Sequence, residues 1–374
     1  MGSAAAWHLA RDRRKVLLLE RYEIAHSNGS SHGQSRIIRR SYTDPIYVPM
    51  VELSFRLWRE LEAESGEGLM VTTGGLDLGP SDSEYLRSCR ATMEQAGIPF
   101  DALDATNLRK RFPQFKVTDD TQANYQADAG ILRATRCVET MVRMAQKHGA
   151  VVHANESVTD FHVWKGSIEI ASDKNRYAAE HVVITGGSWN GPLMQKLGLN
   201  LPLEPLRQQK AYFEPLERAP FEVGRFPIWI SKTYHPQIEE MYGFPWLAGT
   251  PGIKLALHNA DQSRERCDPN NMNRTLDPNY IGWLRKWLEQ HIPGAAGKYK
   301  EGAVCIYTMT PDRNFILDRH PEYPQIAFGA GFSGTGFKFG VGIGRILADL
   351  ATKGTGPVDL TPFRLERFAS AIPG

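Results

Sequence analysis

Residues 302–344, GAVCIYTMTPDRNFILDRHPEYPQIAFGAGFSGTGFKFGVGIG, decide how the chain is read. Apolar alternation makes Ala303–Thr310 a strand and Gln325–Ala330 a second one. Side chains alternate along a strand, so Cys305 and Tyr307 share one side of the first. Gly329, Gly331, Gly334 and Gly336 let a backbone approach another group closely. The run Gly340–Leu347 opens a helix, whose N-terminus presents free N–H groups and a positive dipole end. That is the layout of a cofactor bed. Taken alone, however, the stretch reads first as an ordinary strand, loop and helix around a buried structural cysteine, since a free cysteine usually behaves as a small hydrophobe.

At the other end, Gly2–Arg11 is rich in good helix formers, and Lys15–Leu19 is a buried parallel strand ending on the acid Glu20. Small residues, helix, strand and acid make the second half of a dinucleotide-binding βαβ unit, in which the acid binds ribose hydroxyls about 20 residues after the glycine fingerprint. Gly2 takes the place of the last glycine of that fingerprint. The first strand and the first two glycines are expected upstream of Met1, so the chain reads as an N-terminally incomplete version. A plain αβ pair also fits these residues. His181–Trp189 is a second apolar strand that runs into a glycine turn at Gly186 and Gly187, placing another glycine-bearing strand end beside the first unit.

Composition narrows the class. The chain has 374 residues and a formal net charge of +2. That length suits one large domain or two, and the charge gives no field for nucleic acid or a membrane surface. No apolar run reaches the ~18 residues of a membrane span. Cys89, Cys137, Cys267 and Cys305 are widely spaced, which argues against a zinc site or disulfide framework and for a reducing compartment. The start MGSAAAWHLARDRRK has its charges after its apolar patch, the reverse of a secretory signal. The chain ends Ala-Ile-Pro-Gly rather than on a peroxisomal signal.

Between these ends, residues 28–40 form a polar loop followed by a basic run, with His32, Arg36 and Arg39 close in sequence. They form either a solvated basic segment or a cationic patch on a buried anionic site. Pro49–Glu62 is an amphipathic packing helix, with Leu53, Leu57, Trp58 and Leu61 at spacings of three and four. Leu69–Leu78 is strand-like, with a turn at residues 73–75. Arg136–His148 is a helix; residues 150–153, 157–162, 168–171 and 177–184 are strands or hairpins. Residues 204–300 are aromatic-rich and read as mainly antiparallel sheet, turning helical over Tyr280–His291. Dinucleotide-type segments flank that block, so the domains interleave.

Together these stretches resemble the monomeric sarcosine oxidase family of flavoenzymes, most closely its peroxisomal sarcosine and L-pipecolate oxidase branch. The matching stretches are SNGSSHGQSRIIRR at 27–40, Val182–Trp189, YGFP at 242–245 and GIK at 252–254. Val304–Thr310 with Pro311-Asp312, FILDRHP at 315–321 and GAGFSGTGFKF at 329–339 complete the set. The resemblance implies an α/β (α+β) architecture: a glutathione-reductase-like Rossmann domain for FAD interleaved with a mixed, largely antiparallel substrate domain. The FAD domain takes residues 1–73, 131–203 and 309–374; the substrate domain takes 74–130 and 204–308.

It further implies FAD held covalently through Cys305, and cofactor contacts at Gly2, Glu20, Arg21, Ser35, Arg36, Val158, Gly186, Gly334, Gly336 and Lys338. Arg39 and Lys338 match the pair that binds the substrate carboxylate, where a guanidinium offers a fork and an ammonium a point charge. Tyr242 and Tyr307 match pocket aromatics. Lys254 matches the residue that activates oxygen, a step in which a buried cation steadies developing negative charge. Arg36 and His32 match residues beside the flavin. The implied reaction is oxidation of a secondary amino acid, sarcosine or L-pipecolate, by O2 with release of hydrogen peroxide, in a monomer. The implied compartment is peroxisomal by resemblance and otherwise cytoplasmic. An N-methyltryptophan or glycated-amino-acid oxidase, a flavin dehydrogenase with another acceptor, and a non-catalytic product that cannot hold FAD are the alternatives. Two positions depart from the pattern: Thr335 stands where the glycine loop usually has histidine, and Ser35 where bacterial members have threonine.

Overall fold

A computed structural model describes residues 1–164, 166–232, 240–258 and 265–368. The C-terminal Ala371–Gly374, read above for a targeting signal, lies outside them. The alanine-rich Gly2–Arg11 helix buries Ala4, Ala5, Ala6 and Trp7 and crosses the Gly340–Lys353 helix. The crossing is so close that a Cβ on Gly344 would lie 2.4 Å from the Cβ of Ala4. Both helices share one core with the Val48–Ser65 helix, centred on Trp7, Trp58, Phe339 and Leu347. The amphipathic pattern expected at 49–62 therefore marks a packing face.

Two parallel strand pairings stand beside this core. Leu17–Leu19 pairs with Val151–His153, and Val182–Ile184 pairs with Ile326–Ala330, which also pairs antiparallel with Ile316–Arg319. Gly2 sits between the two: its Cβ position is 2.7 Å from Thr185 Oγ1 and 3.7 Å from Leu18 Cδ1. Among the described residues, no common strand bridges 17–19 and 182–184.

The continuous pattern expected over 177–184 divides. Arg176–Ala179 closes a small antiparallel sheet with Ser167–Ser172, whereas Val182–Ile184 joins the parallel pairing. The exposed Glu180 and His181 between them belong to neither strand. Likewise 69–78 splits at Gly74. Met70–Thr72 joins Gly130–Leu132 and, through it, Arg36–Ile38, while Gly75–Pro80 enters the large sheet.

That large sheet positions the site. Glu265–Arg266, Glu204–Phe213, Ile253–His258, Glu240–Phe244, Ile228–Ser231, Gly75–Pro80, Thr121–Gln126 and Asp101–Leu103 pair in this order, and Tyr299–Met309 also pairs with Glu204–Phe213. All pairings are antiparallel except that of 228–231 with 75–80, as the mainly antiparallel reading of 204–300 anticipates.

Period two gives the sheet two faces of different chemistry. Leu76, Trp229, Met241, Leu255, Ala211 and Phe213 fall on one face by register. They bury against Leu284, Trp287 and Leu288 of the Pro278–His291 helix. Trp229 stacks on Trp287 with ring centroids 5.2 Å apart. The same register puts Asp77, Tyr242, Lys254, Lys210, Cys305 and Tyr307 on the opposite face. A small apolar cluster of Ile131, Ile228, Phe244 and Leu247 seats the 36–38, 70–72 and 130–132 strands over that face.

Candidate active site

A cavity of about 1630 Å³ runs between the polar sheet face and the parallel strands. Drug-sized ligands occupy roughly 300–1,000 Å³, so this one has room for a dinucleotide and a second small molecule. Its walls include Gly2, Glu20, Arg21, Val158 and Gly186 at one end, and Arg36, Arg39, Tyr242, Lys254, Cys305, Tyr307, Gly334, Gly336 and Lys338 at the other. The structure thus brings together nearly every residue expected at the site. His32 and Ser35 stand just behind the wall: both are buried, and the Ser35 carbonyl accepts a hydrogen bond from Lys254 Nζ at 2.8 Å.

Arg39 follows the Arg36–Ile38 strand. The amides of Arg40 and Ser41 both donate to Gln126 Oε1, at 3.0 and 3.1 Å, which pins this segment to the large sheet. The Arg39 guanidinium lies 3.5 Å from Asp77 and donates to the carbonyl and hydroxyl of Ser41. Asp77 is itself held by the Ser41 hydroxyl at 2.5 Å and the Tyr85 hydroxyl at 2.8 Å. Arg39 Nε is buried without a hydrogen-bond partner. Such a donor has a standing cost that an incoming acceptor removes.

Lys338 comes from the short turn ahead of the Gly340–Lys353 helix. Trp58 Nε1 donates to its carbonyl at 2.8 Å, and its ammonium donates to the Thr335 carbonyl at 3.0 Å. Burial first, and then the Arg39 charge, pushes its pKa down to about 7. An ammonium so disfavoured gains by meeting an anion. The backbone of Thr335, the departure from the family loop, therefore braces Lys338. Gly334 has φ +78°, and a Cβ there would strike the Tyr307 ring at 2.4 Å, so the glycine loop lies directly on that ring.

Three of the missed residues join this end. Glu240 lines the cavity on the strand face of Tyr242 and pairs with Lys232 at 2.8 Å. Burial alone would raise its pKa, but the charges of Lys232, His258 and Arg39 outweigh it and hold the carboxyl at about 2. His258, directly opposite Glu240, has Nδ1 3.2 Å from the Tyr307 hydroxyl; burial keeps the ring neutral, with a pKa of about 4. Burial also raises Tyr242 to about 12 and Tyr307 well above its usual range. Asp77 is the third. Their signal in the sequence is strand parity with Tyr242 and Lys254, which becomes readable once the register is known.

On the Cys305 side, Lys254 is buried with its ammonium 3.6 Å from the Phe244 ring centroid. Burial, then Lys210 and Arg36, depress its pKa well below the usual value. Arg36 donates to the carbonyls of Ser35, Ser30 and His32 at 2.8, 2.8 and 2.7 Å, so much of its donor capacity shapes the loop over the site. His32 corrects part of the cationic-patch expectation. Burial, Lys210 and Arg36 drive its pKa to about 3, so at neutral pH it is an uncharged ring. The solvated alternative fails for Arg39, whose side chain is 12% exposed. Burial raises the thiols of Cys89 and Cys137, and that of Cys267 to about 11, so all three stay protonated at neutral pH.

The residues fit FAD. Buried Lys254 and Lys338, disfavoured as cations in the free protein, suit a group that carries negative charge. Glu20, which ends the strand beside Gly2 and accepts from the Tyr22 amide at 3.0 Å, lines the far end of the same cavity. Residues 1–350 match the FAD dependent oxidoreductase family (DAO). Monomeric sarcosine oxidase of Bacillus sp. (strain NS-129) is 37% identical over 99% of this chain and 95% of its own length. Peroxisomal sarcosine oxidase of Homo sapiens is 32% identical over 99% and 94%. The solved open form of NikD, described as an unusual amino acid oxidase essential for nikkomycin biosynthesis, superposes with a TM-score of 0.85 at 25% identity, covering 97% of this chain and 94% of that one. Family match, identity over nearly the full length and cavity agree: the chain belongs to the FAD dependent oxidoreductases and, among them, to the monomeric sarcosine oxidase family.

Proposed function

We propose that the protein oxidises the C–N bond of a secondary amino acid, sarcosine or L-pipecolate, to an imine that water hydrolyses; from sarcosine the products are glycine and formaldehyde. The observation that carries this reading is the convergence of Arg39, its guanidinium paired with Asp77, and buried Lys338 with Tyr242, Tyr307 and Cys305 on one cavity. Bound FAD supplies a two-electron acceptor that O2 regenerates with release of hydrogen peroxide.

Arg39 and Lys338 take the substrate carboxylate, the first through its fork and orphaned Nε, the second as a point charge. Asp77 and Ser41 keep the fork in place. Tyr242 and Tyr307 wall the reacting carbon from water, and neutral His258 holds the Tyr307 hydroxyl. An amino acid arrives with a protonated amine, which has no lone pair to donate as the C–H bond breaks. The positive charges of Arg39, Lys338 and Arg36 disfavour that ammonium and so promote loss of its proton.

Cys305 is the covalent anchor for FAD, and Lys254 the cation that steadies charge developing on oxygen. Gly2, Glu20, Arg21, Val158 and Gly186 serve the nucleotide end; Ser35, Arg36, Gly334 and Gly336 serve the ring end, with His32 supporting the loop. Residues 1–73, 131–203 and 309–374 form the FAD-binding domain, and 74–130 with 204–308 the substrate domain. The separate cores built around Trp7 and around Trp229 support that division.

The test is the visible spectrum of the purified protein titrated anaerobically with sarcosine and then L-pipecolate. Bleaching by either, followed by stoichiometric peroxide on admitting air, is the expected result. A flavin band that neither compound bleaches would refute the substrate assignment.

A further inference from the structure

Lys210 has no part in the functional reading above, yet it occupies the middle of the polar sheet face. Its strand, Glu204–Phe213, pairs on one side with Ile253–His258 and on the other with Tyr299–Met309. Tyr212 is opposite Lys254, and Gln208 is opposite Cys305. Lys210, two residues from each, is therefore the diagonal neighbour of both on the same face. It is buried, 6% exposed, and lines the cavity. Its Nζ rests under the loop that carries His32, 2.9 Å from the Cβ position of Gly33.

We propose that Lys210 is a positioning residue for the oxygen side of the site: its ammonium opposes protonation of Lys254 and so sets the pH range in which Lys254 is a cation. The consequence for oxygen chemistry rests on the reading of Lys254 given above; the coupling of the two lysines does not.

The groups facing Lys254 leave Lys210 as its chief electrostatic opponent. The neighbouring strand contributes Lys210 and Tyr212, the covering loop and strand contribute His32 and Arg36, and the third strand contributes Cys305. The strand on the other side contributes Tyr242 and Glu240, the latter already paired with Lys232. Of these, His32 is uncharged at neutral pH, and Arg36, a permanent cation that donates to three backbone carbonyls, opposes Lys254 less than Lys210 does. Lys210 itself is held down to about 8, first by burial and then by Arg36, against Cys305 and Glu301, which raise it. At neutral pH it therefore carries a positive charge next to Lys254, whose pKa burial, Lys210 and Arg36 all lower. Diagonal neighbours on paired strands have Cα atoms roughly 7–8 Å apart. For two ammonium groups at a separation of that order and an effective dielectric of about 20, the repulsion shifts a titration by about 1.5 pH units.

The experiment follows the lysine Cε resonances of holoenzyme carrying ¹³C-labelled lysine across pH, with Lys254→Met assigning the Lys254 signal. Lys210→Met should raise the Lys254 midpoint by about 1.5 pH units. Lys210→Arg, which keeps the charge, should hold the midpoint at or below the wild-type value; should the methionine variant fail to fold, Lys210→Gln replaces it. A midpoint that stays put when the charge at 210 is removed overturns the proposal. Reoxidation of the reduced enzyme by O2, measured over the same pH range, separates the two readings. A reoxidation profile that moves with the midpoint supports both. A shifted midpoint with an unmoved profile upholds the lysine coupling and removes Lys254 from oxygen chemistry.

Discussion

The buried ammonium of Lys338 gives the carboxylate site a pH dependence that can be worked out in advance. Burial and Arg39 lower its pKa to about 7 in the free protein, whereas Arg39 stays charged throughout, its own pKa raised well above the usual value despite burial by Tyr85, Asp77 and Tyr42. A group whose pKa is depressed when unliganded, and restored by a bound anion, binds that anion best below the depressed value. Affinity then falls as pH rises through it. Its charged neighbours do not titrate in that range: His258, at about 4, is already neutral, and Glu240, at about 2, already ionised. From pH 6 to pH 9 the charged fraction of Lys338 drops to about one part in a hundred, a loss of about 2.7 kcal/mol in binding. The ligand to use is methoxyacetate, a sarcosine isostere with an ether oxygen in place of nitrogen, so that the ligand itself does not titrate. Its dissociation constant, from calorimetry or from competitive inhibition of peroxide release, should weaken about a hundredfold over those three pH units. In Lys338→Met it should be weak at pH 6 and nearly flat. A wild-type constant that varies less than twofold from pH 6 to pH 9 would sink the assignment of Lys338 as a titrating carboxylate anchor.

Other expectations follow from the same geometry. Cys305→Ala should release its flavin into the supernatant on acid denaturation, whereas the wild-type pellet keeps its yellow colour; a colourless wild-type pellet refutes the covalent link. Asp77→Ala strips the buried Arg39 of its counter-ion, which costs on the order of 3–5 kcal/mol; an unchanged urea midpoint at constant slope would show the pair to be dispensable. Trp229→Ala removes one half of the 5.2 Å stack with Trp287 and should cost about 3–5 kcal/mol of stability. It should leave carboxylate affinity in the surviving folded protein near wild type, and a large loss of affinity at full stability would contradict the separation of the two sheet faces.

Much of the fold is legible in local pattern. The alanine-rich start, the leucine strand at 17–19 and the spacing of Leu53, Leu57, Trp58 and Leu61 all specify their elements from within a single turn or strand. What failed to separate were runs in which two strands of different sheets follow each other with little polar interruption. Residues 177–184 look continuous because Glu180 and His181 are too short an interruption to signal a change of sheet. The partner that divides them, Ile326–Ala330, lies far away in sequence. The same holds at 69–78, where a turn at Gly74 is visible but the two sheets it serves are not.

The site divides along the same line. Arg36, Arg39, Tyr242, Lys254, Cys305 and Lys338 stand inside short stretches that carry a family resemblance, so they were nameable one by one. Asp77, Lys210, Glu240 and His258 stand in strands that look unremarkable in isolation. Only the register shows that Asp77 is level with Ile230, Ile230 with Tyr242, and Tyr212 with Lys254. Because side chains alternate, the register that turns Tyr242 and Lys254 towards the cavity turns their neighbours of the same parity to that side of the sheet, and turns Trp229, Met241 and Leu255 into the core behind it. That alternation explains why packing and charge can be perturbed separately here. A substitution at 229, 241 or 255 alters packing behind the sheet, whereas one at 77, 210, 240 or 254 alters charge in front of it. It also explains why so many ionisable groups tolerate burial at one place: Arg39 is answered by Asp77 and Glu240 by Lys232 across adjacent strands. Lys210, Lys254 and Lys338 are left with depressed pKa values, each ready to gain when an anion arrives.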